Sequence, residues 1–151
     1  MDFFLNGTVR LKPADAAVAI ITTGDNLYLM QLRDQKPGIF YPGHWGLFGG
    51  AIDAGEDPVT ALKRELAEEL GLRIAACRYF TNFTFDYGPF GNIFRRFYEV
   101  VVPPTTLDAL VLNEGSAMRS FRAAEILNLP RVVPYDSFAL WLHASGSLRP
   151  S

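Results

Sequence analysis

The 151-residue sequence is short of three residue types that often announce chemistry: it has one cysteine, two histidines and three lysines. The single Cys77 excludes an internal disulfide and any zinc site built on a cysteine cluster. His44 and His143 are unaccompanied by a Gly-x-Ser-x-Gly elbow, which argues against a Ser-His-Asp hydrolase. The glycines at 43, 46 and 49 match neither a dinucleotide fingerprint nor a P-loop. No uncharged apolar run approaches membrane-spanning length. The N-terminal stretch has Asp2 early and only a short apolar patch, so no secretory signal is expected and the cytoplasm is the default location. Repeats, low-complexity tracts and linkers are absent, and one domain over residues 1–151 is expected. A net charge of −2 provides no bulk grip on a long nucleic acid, although it leaves room for a single nucleotide.

What the chain does have is a large apolar fraction, 49%, against 20% charged residues, the balance of a globular protein with a real core. Residues 1–13 read as an arm or first strand. Ala16–Thr22 reads as a buried strand, Gly24-Asp25-Asn26 as a turn, and Asn26–Arg33 as the hairpin partner. Asp34–His44 is a long loop, and Trp45–Phe48 a short strand running into Gly49-Gly50. Beyond a helix lie a strand within Arg73–Asp86, a turn at Gly88–Asn92 and a return strand over Ile93–Val102, broken by Pro103-Pro104. Leu107–Met118 is a loop or short strand, Arg119–Arg122 a last strand and Ala123–Leu127 a helical turn. Pro134–Ala144 is a closing helix with Phe138, Trp141 and Leu142 as core candidates. Strands on both sides of the main helix give an α/β class, a mixed sheet between helices.

The main helix organises the rest. Asp57 is a good N-cap, Pro58 a good first helical residue and Gly71 a good terminator. Val59, Leu62, Leu66 and Leu70 recur at spacings of three and four and form one core-facing stripe. Glu65, Glu68 and Glu69 fall on one arc beside it, where like charges weaken an isolated helix by about 0.2–0.5 kcal/mol per pair. A solvated acidic face is the bland explanation. A bound hard cation explains clustered carboxylates at a core border better.

The stretch ahead of the helix decides between them. Gly50, Glu56, Arg64-Glu65-Leu66, Glu68-Glu69 and Gly71-Leu72 occur at the spacing of the full 23-residue signature of the Nudix hydrolases, which this chain resembles. Leaving aside the apolar positions Leu66 and Leu72, the seven remaining residues arise by chance at roughly one site in 10⁸–10⁹ at average usage. Phe48 stands where many members have proline and Asp53 where many have glutamate, neither being a fixed position.

The resemblance implies a Nudix-type α/β/α sandwich and a metal-dependent pyrophosphohydrolase, one that cleaves a nucleoside diphosphate linked to another moiety (a nucleotide sugar, a nucleoside triphosphate or a dinucleotide) with activated water. It implies Mg²⁺, with Mn²⁺ as the alternative, held by Glu65, Glu68, Glu69 and the carbonyl of Gly50. Glu65 stays open as ligand or general base. Arg64 is expected to orient a glutamate, and Glu56 either to pair with Arg64 or to join the metal shell. Glu114 is the first choice for a further carboxylate from outside the signature and Glu99 the second. Weaker candidates for holding substrate are Arg33, Tyr41 and Trp45, with Phe40 a further aromatic. Arg95 and Arg96 are adjacent in a strand, so at most one faces a cleft. A homodimer is compatible with the apolar, aromatic strands. The competing reading is a catalytically silent nucleotide-binding or regulatory domain, against which the intact glutamate set argues.

Overall fold

Strand β1 (Ala16–Thr22) is the axis of the molecule, and every residue but Thr22 is buried. The computed structural model describes residues 14–147, so the expected N-terminal arm lies outside the described residues. β1 runs parallel to β6 (Asn92–Val101) along its whole length. On its other side it pairs antiparallel with β4 (Phe48–Ala51), then at Thr22 with β2 (Leu27–Leu32). β2 in turn pairs with β3 (Trp45–Gly46) and with β7 (Ala117–Arg122), and β5 (Arg78–Asp86) adds antiparallel to β6. The result is a seven-stranded mixed sheet.

An apolar strand of alternating direction buries both faces. Ala17, Ala19 and Ile21 pack beneath α1 (Pro58–Leu70) with Leu62, Leu66 and Leu70. Ala16, Val18 and Ile20 pack on the opposite side with Ile126 of α3 (Ala123–Leu127) and with Ala139 and Leu140 of α4 (Pro134–Ser147). This is the expected α/β/α sandwich. None of the described helices is long and apolar enough to cross a membrane.

β2 pairs antiparallel with β1 across the expected turn, and it also carries β3 and β7. Two expectations change. A short helix, α2 (Pro104–Leu107), follows Pro103, because proline suits a first helical turn as well as it breaks a strand. The inward side of α4 is Tyr135, Asp136, Ala139 and Leu140, whereas Phe138 and Trp141 are 48% and 47% exposed. α4 is apolar nearly all round, so periodicity gives no phase. Two polar anchors fix it instead: Asp136 to Arg95 at 3.3 Å, and His143 to Glu99 at 2.9 Å.

Candidate active site

The site begins where β4 ends. Gly49 sits at φ +141°, and a Cβ there would stand 2.3 Å from the carbonyl oxygen of Ala17 on β1. Only glycine lets β4 lie this close to β1. A Cβ on Gly50 would stand 2.4 Å from the carboxyl carbon of Glu65. The paired glycines thus keep open the space into which α1 directs its acids.

α1 delivers them in a fixed register. Asp57 caps the helix by accepting hydrogen bonds from the N–H groups of Val59 and Thr60, and Gly71 ends it in the left-handed conformation. Glu69 falls on the buried side, 5% exposed, and its Oε2 accepts from the Gly49 N–H at 3.1 Å. Burial pushes its carboxyl up to about 8, with Glu114 and Glu65 pushing the same way and the Gly49 bond and Arg33 opposing. Glu65 is also raised by burial, against the pull of Arg64, with Glu68 and Glu114 adding repulsion.

Arg64 organises the outer side of the ridge. Its Nε and Nη2 donate to the two oxygens of Glu56, each at 2.9 Å. Nη2 also donates to the Ala51 carbonyl at 3.1 Å and lies 3.4 Å from Asp53. Nη1 donates to Glu65 at 3.0 Å and to Glu68 at 3.5 Å. A planar fork suits this many oxygens where an ammonium does not. The bonds from Arg64 hold Glu56 down at about 2. Glu56 therefore pairs with Arg64, one of the two roles open to it.

Glu114 arrives from a distant loop. Asn113 donates its backbone N–H to the Glu69 carbonyl at 2.8 Å and its Nδ2 to the Glu68 carbonyl at 3.1 Å. These bonds tie the loop to the last turn of α1 and set Glu114 beside Glu69 in a small recess shared with Gln31, Arg33 and Asp34. Glu99, the second choice, is elsewhere, paired with His143 and Arg78.

Next to the acids opens a cleft of ≈ 290 Å³. Gly49, Gly50 and Ala51 line one side, Arg33, Ile39 and Phe40 another, and Arg95, Tyr135 and Asp136 the floor. Arg33 is steadied by donating from Nε to the Phe40 carbonyl at 2.9 Å. Tyr41 and Trp45 are not in these walls. Tyr41 is buried edge-on against Tyr135, and Trp45 packs on Phe121 at 4.9 Å, because the segment 131–133 runs beside β3 and covers them. His44 is buried too, its Nδ1 bonded to the Pro42 carbonyl.

Tyr135 and Asp136 of the floor carry no local signal in the sequence. Asp136 is buried, accepting from the Leu47 N–H at 3.0 Å and from Arg95 at 3.3 Å. The Arg95 guanidinium also lies 4.1 Å above the Tyr135 ring. The alternation of β6 gave one clue, that Arg95 and Arg96 take opposite faces. Which one meets the cleft depends on the parallel register with β1, which has no local signature.

The carboxylates form an all-oxygen donor set without histidine or cysteine, the chemistry a hard divalent cation prefers. As the side chains stand, Glu65 and Glu68 share the Arg64 cation. Among the described residues no three His, Cys, Asp or Glu groups are gathered tightly enough to hold an ion.

Comparison with known proteins matches residues 12–142 to the NUDIX domain model. A stretch of 54 residues is 41% identical to the nucleoside triphosphatase NudI of Escherichia coli, covering 36% of this chain and 38% of that protein. Over 97 residues the chain is 36% identical to a Nudix hydrolase of Pseudomonas aeruginosa, covering 63% of this chain and 55% of that one. The chain thus spans only part of each of these relatives. The crystal structure of a MutT protein from Methanosarcina mazei Go1 superimposes with a TM-score of 0.77, covering 94% of this chain and 100% of that one at 15% identity, which shows a shared fold.

Proposed function

The chain belongs to the Nudix hydrolase family, and on that basis we propose that it is a divalent-metal-dependent pyrophosphohydrolase cleaving a nucleoside diphosphate joined to another moiety. The observation that carries the reading is the meeting of Glu69 and Glu114 with Arg33 in one recess, beside a cleft walled by Arg33, Arg95 and the Gly50 that faces Glu65. A buried carboxyl set beside other acids favours a cation once it ionises, and two arginines nearby suit phosphate oxygens.

Glu65, Glu68 and Glu69, with the Gly50 carbonyl and Glu114, are the groups that would hold Mg²⁺ or Mn²⁺. When bound, such an ion neutralises phosphate oxygens and lowers the pKa of its water. The protein's own part is positional. Arg64 fixes Glu65 and Glu68 on one edge, Gly50 leaves room for Glu65, and Asn113 holds Glu114 against Glu69. Arg33 and Arg95 steady the phosphates, and Ile39, Phe40 and Tyr135 provide apolar wall for the base or sugar. Glu65 or Glu69 accepts the proton of the attacking water. NudI is named as a nucleoside triphosphatase, which puts nucleoside triphosphates first among the substrates to try.

The experiment is a panel of nucleoside triphosphates, nucleotide sugars and dinucleoside polyphosphates, incubated with and without Mg²⁺, with products identified by ion exchange. Release of nucleoside monophosphate from at least one member only when metal is present supports the reading. Tight binding with no turnover across the panel assigns the chain to the silent, regulatory class instead.

A further inference from the structure

β5 ends the sheet: among the described residues its one strand partner is β6. From Tyr79 to Phe85 it carries no charge, no proline and no glycine. Edges of monomeric proteins are ordinarily blunted by charge, proline or a covering element. An uncharged run rich in phenylalanine and threonine does the reverse and recruits another strand. A bulge between Tyr79 and Thr81 is the only irregularity, and charges appear only at the ends, Arg78 and Asp86.

Aromatic surface flanks this edge on both faces of the sheet. On the α4 side the rings of Phe85, Phe83, Phe138 and Trp141 follow one another at 5.8, 5.1 and 6.2 Å, and the last two are half exposed. On the α1 side Tyr79 is 48% exposed against Tyr98. Asn82 and Thr84, between them, are exposed.

We propose that this edge is a homodimer interface, β5 of one copy adding antiparallel to β5 of a second copy about a two-fold axis normal to the sheet. The strand is complementary to itself in that sense only. Antiparallel addition sets the Arg78 end of one copy, whose exposed guanidinium also pairs with its own Glu99, beside the Asp86 end of the other, whereas parallel addition would oppose like charges. Rotation about such an axis keeps both α4 helices on one face, so the exposed Phe138 and Trp141 of the two copies come together across it. This interface is independent of the hydrolase reading.

Sedimentation velocity on the full chain tests it. The wild type is expected to run at twice the 16.8 kDa chain mass and to fall towards that mass on dilution. The double variant Phe138→Glu/Trp141→Glu, which places like charges across the axis, is expected to run as a single chain that still melts cooperatively, at a temperature that no longer depends on concentration. Should that variant fail to fold, Asn82→Cys and Thr84→Cys decide, each in a Cys77→Ser background. At least one is expected to give a disulfide-linked pair under mild oxidation. A wild type monomeric at every concentration overturns the proposal. A dimer that survives the double glutamate variant, with no crosslink from either cysteine, overturns it equally.

Discussion

Replacing Glu69 by glutamine isolates the electrostatic strain at the site. In the metal-free protein Glu69 keeps its proton until about pH 8, against an ordinary value of 4.5. Between those values the folded state holds a proton that the unfolded state has released. Stability therefore falls as pH rises, by about 1.4 kcal/mol per unit, the full cost being reached above the folded value. Over the whole interval the ceiling is on the order of 5 kcal/mol. Below the ordinary value both states are protonated and the term vanishes. Glutamine keeps an oxygen to accept from the Gly49 N–H and has no proton to lose. For a chain of this size 1 kcal/mol moves the melting temperature by about 2–4 °C. Thermal melts in chelator from pH 5 to 8 should thus show the wild type losing about 3–5 °C per unit relative to Glu69→Gln. Saturating Mg²⁺ should restore much of that loss, since an ion at 100-fold its dissociation constant adds about 2.7 kcal/mol. Parallel melting curves for the two proteins across that range would refute the assignment of Glu69 as a strained acid.

Four further outcomes are expected. Gly50→Ala pushes a methyl into the Glu65 carboxyl and should lower turnover by about 10² with little change in substrate KM, read from steady-state kinetics. Arg64→Lys cannot serve Glu56, Glu65 and Glu68 at once, and should reduce turnover far more than it alters a urea unfolding curve. Glu114→Gln removes one source of repulsion and should move the Glu69 titration, followed by carboxyl NMR, towards lower pH. Asp136→Asn leaves the Arg95 charge uncompensated in the cleft floor and should cost about 3 kcal/mol in chemical denaturation.

The sequence was most informative where structure is local. α1 is specified by its own cap, stripe and terminator, and its acids follow from helical geometry alone. Gly50 and Arg64 were legible because the spacing to Glu65 and Glu56 stays within one turn-and-helix unit. Glu114 was reachable only by analogy, since the hydrogen bonds from Asn113 that bring it to Glu69 cross the chain. Arg95 and Asp136 were harder still, because strand register and the docking of α4 place them. There polar residues, Asp136 and His143, mark the inner side of a helix whose apolar residues cover every side. Tyr41 and Trp45 show the same limit from the other direction: an aromatic loop beside a signature looks like a substrate wall until the segment that buries it is in place.

The metal site is tested by turnover of the best substrate as a function of Mg²⁺ concentration, in wild type and in Glu68→Gln and Glu69→Gln. No hydrolysis is expected without metal, a saturable rise with it, and a loss of at least about 10² in each variant. Hydrolysis that proceeds at the wild-type rate in both variants, or that ignores Mg²⁺ altogether, would contradict the metal site.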